Sequence, residues 1–253
     1  MSARSSIEGH VAIITGGAVG IGAACVDRFA REGARILLLD RDGAKGEKAA
    51  ARARAAGAEI LFAEGDASVK ADVEALFRRT DAEWGRLDIL VNCAGGFFEN
   101  SAIEDLEAEE WDRVVAWNLK SAYLCCREAV KRMKPKGYGR IVNVASITGR
   151  TGVLQTSLPY GAAKAGMVGF TRRLAAELAA HGVTANAVAP GLVLSPRVAK
   201  MHKDRLPEIL EGIPMGRPGE AEEIADAVWY LSTPGASYVT GATLDVNGGH
   251  FIG

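Results

Sequence analysis

HVAIITGGAVGIG, residues 10–22, is an apolar, β-branched run that breaks into glycines and then into an Ala-rich helical stretch. A strand, a glycine turn and a helix in that order are the opening of a βαβ unit. Gly16 permits a tight turn out of the strand. The glycines at 16, 20 and 22 let the backbone approach an anion such as a pyrophosphate closely. The helix that follows offers free N–H groups and the positive end of its dipole to the same anion. Val19 and Ile21 sit between the glycines and share that surface.

The same alternation continues outward along the chain. Short runs rich in Val, Ile and Leu at 34–39, 59–64, 87–92, 140–145, 184–189 and 242–246 are separated by helical stretches such as 20–32, 44–56, 69–84, 106–134 and 160–180. This spacing predicts a doubly wound α/β fold: a parallel seven-stranded sheet with helices on both faces and right-handed crossovers. No repeat, low-complexity tract or linker divides the chain, so 1–253 is expected to be a single dinucleotide-binding and catalytic domain. The interval 191–219 differs, with Pro196, Pro207, Pro214 and Pro218 around a short amphipathic piece. It reads as a substrate lid at about 192–216.

Composition narrows the functional classes. A net charge of −1 gives no electrostatic reason to expect nucleic acid or an anionic membrane as a partner. No apolar run is long enough to cross a bilayer, and MSARSSIEGH lacks the apolar core of a signal peptide. Cys25, Cys93, Cys125 and Cys126 have no CxxC spacing and read as reduced thiols of a cytoplasmic protein, with no metal site expected.

Asp40 closes the second strand, where a carboxylate can accept hydrogen bonds from an adenosine ribose. Further along, Tyr160 and Lys164 are four apart on a predicted helix and share one face. A phenol with a pKa of about 10 is a poor proton-transfer catalyst near neutrality, and a nearby ammonium is expected to pull that value down.

TGGAVGIG (15–22), VNCAG (91–95), Asn118, Ser146, YGAAK (160–164) and PGLVLS (190–195) follow one another as in the short-chain dehydrogenases/reductases. The chain resembles the short single-domain branch of that family, which includes 3-oxoacyl-carrier-protein reductases, up to its VNGG near the C-terminus. The resemblance implies NAD(H)-dependent interconversion of a secondary alcohol and a ketone. It implies Tyr160 as the acid/base, Lys164 on the nicotinamide ribose, Ser146 on the substrate oxygen and Asn118, inside the fourth helix, anchoring a water that relays protons to Lys164. It further assigns cofactor contacts to Asp66, Ala67, Asn92, Ala94, Gly95, Pro190, Gly191, Val193 and Ser195. Two departures stand out: Cys93 at the second position of the usual Asn-Asn-Ala-Gly, expected not to touch the chemistry, and Ser195 where threonine is usual.

NAD is the expected cofactor, because a 2′-phosphate would meet the Asp40 carboxylate. Arg41 is the complication, since a guanidinium turned inward could pair with that phosphate. Strand alternation predicts that it faces solvent or stacks over adenine. The alternative is an NADP(H)-dependent 3-oxoacyl-thioester reductase. A sugar-nucleotide epimerase is disfavoured by the short tail after VNGG, and a non-enzymatic cofactor-binding protein by the intact Ser146, Tyr160 and Lys164. Helices 106–134 and 160–180 are apolar around more than one stripe, with Trp111, Val114, Trp117, Tyr123 and Leu124 unable all to face the sheet. With the resemblance, this predicts a homotetramer. Arg197, Lys200, Lys203 and Arg205, opposed by Asp204, Glu208 and Glu211, leave two readings of the lid: a solvated face or a contact for an anionic substrate group.

Overall fold

A computed structural model describes residues 6–253 apart from 98–99, 153–155, 202 and 204; of Pro196, Arg197 and Met201 only the backbone is described. Seven parallel strands form the sheet: β1 (Val11–Thr15), β2 (Arg35–Asp40), β3 (Ile60–Glu64), β4 (Ile89–Asn92), β5 (Gly139–Val144), β6 (Val183–Pro190) and β7 (Thr243–Val246). They lie in the order β3-β2-β1-β4-β5-β6-β7, so the winding reverses between β1 and β4. The register sets Thr15 beside Asn92 and Asn92 beside Asn143, which brings the loops after these strands to one edge. Open α/β sheets bind ligands at that edge, in the crevice at the reversal.

The continuous apolar runs seen in the sequence have a simple cause: the sheet is covered on both faces. Successive residues alternate between two cores. Ile14, Leu38, Val91 and Val142 pack on one face with Val26, Phe29, Val228 and Leu231. Ile13, Leu37, Leu90 and Ile141 pack on the other with Phe77, Leu124, Met133 and Leu178. Each such side chain contributes about 1.5–3 kcal/mol by leaving water.

The first core is closed by α1 (Gly20–Arg31), α2 (Gly43–Ala55) and, later in the chain, α9 (Ala221–Ser232). The second is closed by α3 (Lys70–Trp84), α5 (Ser121–Lys136) and α6 (Leu158–Leu178). The expected helix 106–134 is instead α4 (Ala108–Val115) and α5 joined by a π-helical turn, Ala116–Lys120. Helix α9, absent from the sequence expectations, starts on a capping box in which Glu220 and Glu223 each accept from the other's end of the turn. Glutamate in place of the usual Ser, Thr, Asp or Asn is a weak start signal.

The segment expected to be a lid contains α7 (Pro196–Met201) and α8 (Leu206–Glu211). Its two ends are tied together by a bridge between Val193 and Gly219, with Gly219 N–H donating to Leu192 C=O at 2.8 Å. Among the described residues, no helix is long and apolar enough to cross a membrane.

Candidate active site

One cleft of about 890 Å³ runs along the carboxyl edge of the sheet. At one end it is lined by Gly16, Val19, Gly20, Ile21, Gly22, Asp40, Arg41, Asp66 and Ala67; at the other by Ser146, Tyr160, Lys164, Pro190, Gly191, Val193 and Ser195. Ala94 and Gly95 lie between.

The glycine turn fits an anion on geometric grounds. A Cβ on Gly22 would stand 2.0 Å from the Gly16 carbonyl oxygen, and one on Gly16 2.8 Å from Ala94 Cα, so both positions admit only glycine. Gly20 has a φ of +56° and open space where a side chain would project. Val19 caps α1 without a side-chain hydrogen bond, and no acidic residue sits in the helix's first turn. No carboxylate of the helix's own first turn therefore compensates the dipole end.

Asp40 holds the rim of this turn. Its Oδ2 accepts from Ala18 N–H at 3.0 Å and its Oδ1 from Asp42 N–H at 3.0 Å. The carboxylate is thereby fixed at the cleft, with lone pairs left for hydroxyl donors. Asp66 is fixed likewise, its Oδ1 accepting from the Ser68 N–H and hydroxyl at 2.7 Å.

At the other end, Ser146 follows β5 and opens a 3₁₀ turn, accepting from Thr148 N–H at 3.2 Å. Tyr160 and Lys164 lie on α6, whose first turn tolerates Pro159 because that N–H has no helical partner. Phe97 packs against Tyr160, with ring centroids 4.9 Å apart. The Ser146 hydroxyl hydrogen-bonds the Tyr160 phenol, which lowers its pKa, but burial outweighs this and holds the phenol above its ordinary value. This corrects the expectation that Lys164 pulls the phenol down. The Lys164 ammonium lies 5.4 Å from the Tyr160 ring centroid and donates to the Val144 carbonyl at 2.7 Å. Its own pKa is pushed down to about 8 by burial.

Three further residues are placed by the structure. Asn118 does not line the cleft. It stands on the π-turn, and its Nδ2 donates to the carbonyls of Gly96 at 2.7 Å and Val114 at 2.8 Å, while its Oδ1 accepts from Gly96 N–H at 3.0 Å. The side chain is thus committed to clamping the Gly95–Gly96 strand exit. Asn92 does not line the cleft either; it points to the opposite face of β4 and donates to Asn143 Oδ1 at 2.8 Å and Cys126 Sγ at 3.3 Å. Cys93 lines the cleft, interacts with Lys164 and hydrogen-bonds Cys25.

Sequence reasoning missed Lys45, Phe97, Thr148, Thr156 and His250, all of which line the cleft. None carries a motif; each arrives through the loop or helix that folds it there. The 192–216 segment turns Leu194, Val198 and Ile209 toward the cleft, while Lys200, Lys203 and Arg205 are exposed, Arg205 pairing with Glu208. That favours the solvated-face reading for these three cations. The Arg197 side chain and Asp204 lie outside the described residues.

Residues 16–250 match the family model described as enoyl-(acyl carrier protein) reductase. The chain is 40% identical over 242 residues to the cis-4-hydroxycyclohexanecarboxylate dehydrogenase of Sinomonas cyclohexanicum, covering 95% of this chain and 96% of that one. It is 34% identical over 249 residues to the 3-oxoacyl-[acyl-carrier-protein] reductase of Escherichia coli K12, covering 98% and 99%. The crystal structure of gox2181 superposes with a TM-score of 0.95 at 35% identity, covering 98% of each chain.

Proposed function

The chain belongs to the short-chain dehydrogenase/reductase family, and on that premise we propose that it interconverts a secondary alcohol and a ketone with NAD(H). The observation that carries this reading is the convergence of Ser146, Tyr160 and Lys164 at the end of a cleft whose other end is the glycine turn and Asp40.

Gly16, Gly20 and Gly22 with the α1 N-terminus would hold the pyrophosphate, Asp40 the adenosine ribose, and Asp66, Ala67, Ala94 and Gly95 the adenine side. Pro190, Gly191, Val193 and Ser195 would border the nicotinamide. When bound, the nicotinamide supplies the hydride donor or acceptor, and in its oxidised form a positive charge near the phenol. Tyr160 gives its proton to the carbonyl oxygen in reduction and takes it back in oxidation. Ser146 hydrogen-bonds that same oxygen and stabilises the charge that develops on it. Lys164, held by Val144, keeps a positive charge behind the phenol and would hold the nicotinamide ribose.

Tyr160→Phe tests this directly. Turnover should fall at least about a hundredfold, with NADH affinity nearly unchanged. Wild-type turnover in the variant would end the assignment.

A second reading, an NADP(H)-dependent 3-oxoacyl-thioester reductase, draws on the Escherichia coli relative and on the apolar face that Leu194, Val198 and Ile209 turn to the cleft. A panel of 3-oxoacyl thioesters and simple ketones against both cofactors separates the two. The 192–216 segment, pinned at Val193 and Gly219, acts as the lid over either substrate. Four unpaired cysteines support a reducing, cytoplasmic setting. Trp111 and Tyr123 are 37% and 45% exposed on α4 and α5, which supports burial of those helices in a homotetramer.

A further inference from the structure

Arg41 leaves β2 one residue after Asp40, and its guanidinium carbon lies 4.0 Å from the centroid of the Trp117 ring. Trp117 stands on the π-turn, whose neighbour Asn118 is tied to Gly96 beyond β4. Strands β2 and β4 flank β1, so this contact reaches from one wall of the cleft to the other, above the glycine turn. Among the described residues Arg41 makes no ion pair, and both oxygens of Asp40 are turned to the backbone of Ala18 and Asp42. Lys45, the other cation lining this end, pairs with Asp42 at 2.5 Å.

We propose that Trp117 is a specificity-determining residue: its indole face holds Arg41 against the β4 wall, away from the ribose 2′ position beside Asp40 on the β2 wall. The inference rests on the NAD(H) reading above and deepens it. A guanidinium is weakly hydrated and stacks readily on an aromatic face. Each conformer in which it lies on Trp117 is one in which it does not meet a 2′-phosphate. The dinucleotide without that phosphate loses nothing by the arrangement. NAD(H) preference then has two sources, the repulsive carboxylate of Asp40 and a cation kept out of reach.

The test is a cycle of dissociation constants for NADH and NADPH, measured by calorimetry on wild type, Trp117→Leu, Arg41→Ala and the double variant. Trp117→Leu should lower the ratio Kd(NADPH)/Kd(NADH) by about two- to fivefold, the weight of an exposed cation–π contact. In the Arg41→Ala background the same substitution should leave the ratio unchanged. A ratio unmoved by Trp117→Leu, or moved equally without Arg41, would overturn the proposal. Should Trp117→Leu fail to fold, Trp117→Phe carries the test: a smaller shift in the same direction, lost without Arg41, supports it, and no shift overturns it. Indole emission of the cofactor-free protein should also change in Arg41→Ala; an unchanged spectrum counts against the contact. Tighter binding of NADPH than NADH by wild type would defeat the reading of Asp40 and leave the Trp117 cycle interpretable on its own.

Discussion

Lys164 donates its ammonium proton to the Val144 carbonyl at 2.7 Å, so the cation of the site is tethered to the end of β5. The side chain is 4% exposed, and burial brings its pKa from 10.5 down to about 8. Between those values the unfolded chain binds the proton and the folded one does not, so stability rises with pH across that window. Below about pH 8 the full penalty of a buried charge is present, on the order of 3 kcal/mol. Lys164→Met is therefore expected to raise the melting temperature at pH 7 while abolishing efficient turnover. The gain should be reduced by the orphaned Val144 carbonyl and should shrink toward pH 10. Melting curves across pH decide this; a gain independent of pH would mean burial of the charge is not its origin.

Ser146 is the group that opposes burial at Tyr160, since its hydrogen bond lowers a phenol pKa that burial raises. Ser146→Ala should move that pKa further up. In the alcohol-oxidising direction, where the phenolate is the working form, the alkaline rise of kcat/KM should shift to higher pH. A profile with an unmoved limb and only a lower plateau would assign Ser146 to substrate binding alone.

Gly95 lies against the Asn118 clamp. With φ at +148°, an added Cβ would fall 2.3 Å from Asn118 Oδ1. Gly95→Ala should break at least one of the two Gly96–Asn118 hydrogen bonds, costing about 1–3 kcal/mol in urea unfolding, and weaken NADH binding. Asn118→Ala should give a comparable loss, and the double variant less than the sum of the two. Strict additivity would show that the glycine and the clamp are unrelated.

Asp40 has two tasks, and its variants should separate them. Wild type should prefer NADH to NADPH by at least about tenfold in kcat/KM, and Asp40→Ala should narrow that gap. Because Asp40 also accepts from Ala18 N–H in the glycine turn, Asp40→Ala should weaken NADH binding as well. Asp40→Asn retains an acceptor for Ala18 and should lose less NADH affinity while still tolerating NADPH better.

Light scattering addresses assembly. The chain mass is 26.6 kDa, and a homotetramer should scatter as four copies. A monomer at working concentration would rule it out, and Trp111 and Tyr123 would then need another partner or a tolerance for water.

The sheet was legible because its inner strands are buried on both faces and therefore read as unbroken apolar runs, from VAIIT to TANAVAP. The glycine turn, Asp40, Ser146, Tyr160 and Lys164 were legible because each sits at a strand end or at helical spacing, where sequence position fixes spatial position. The clamp that the Asn118 side chain makes on Gly96 was not, because a π-turn has no composition of its own: AWNLK would serve equally well in an α-helix. The sign of the Tyr160 shift was hidden too. Proximity to Lys164 is local, whereas burial depends on every loop that folds over the phenol. Phe97 and His250 reach the cleft from loops and could be placed only by folding the whole chain.

The π-turn at 116–120 also acts as a phase shifter. Trp111 and Tyr123 are twelve residues apart, and at about 100° per residue an uninterrupted α-helix would leave them roughly 120° apart around its axis. One additional residue in the turn delays the rotation by about 100°, bringing the two rings to within roughly 20° of each other. Val114 and Leu124, on other sides of the helix axis, are buried, at 0% and 6% exposure. The extra residue that lets Asn118 reach Gly96 thus also aligns two aromatic side chains on one outward stripe. Deleting a single residue from AWNLK would swing everything before the turn by more than a quarter revolution relative to everything after it, parting the rings even if each helix survived intact.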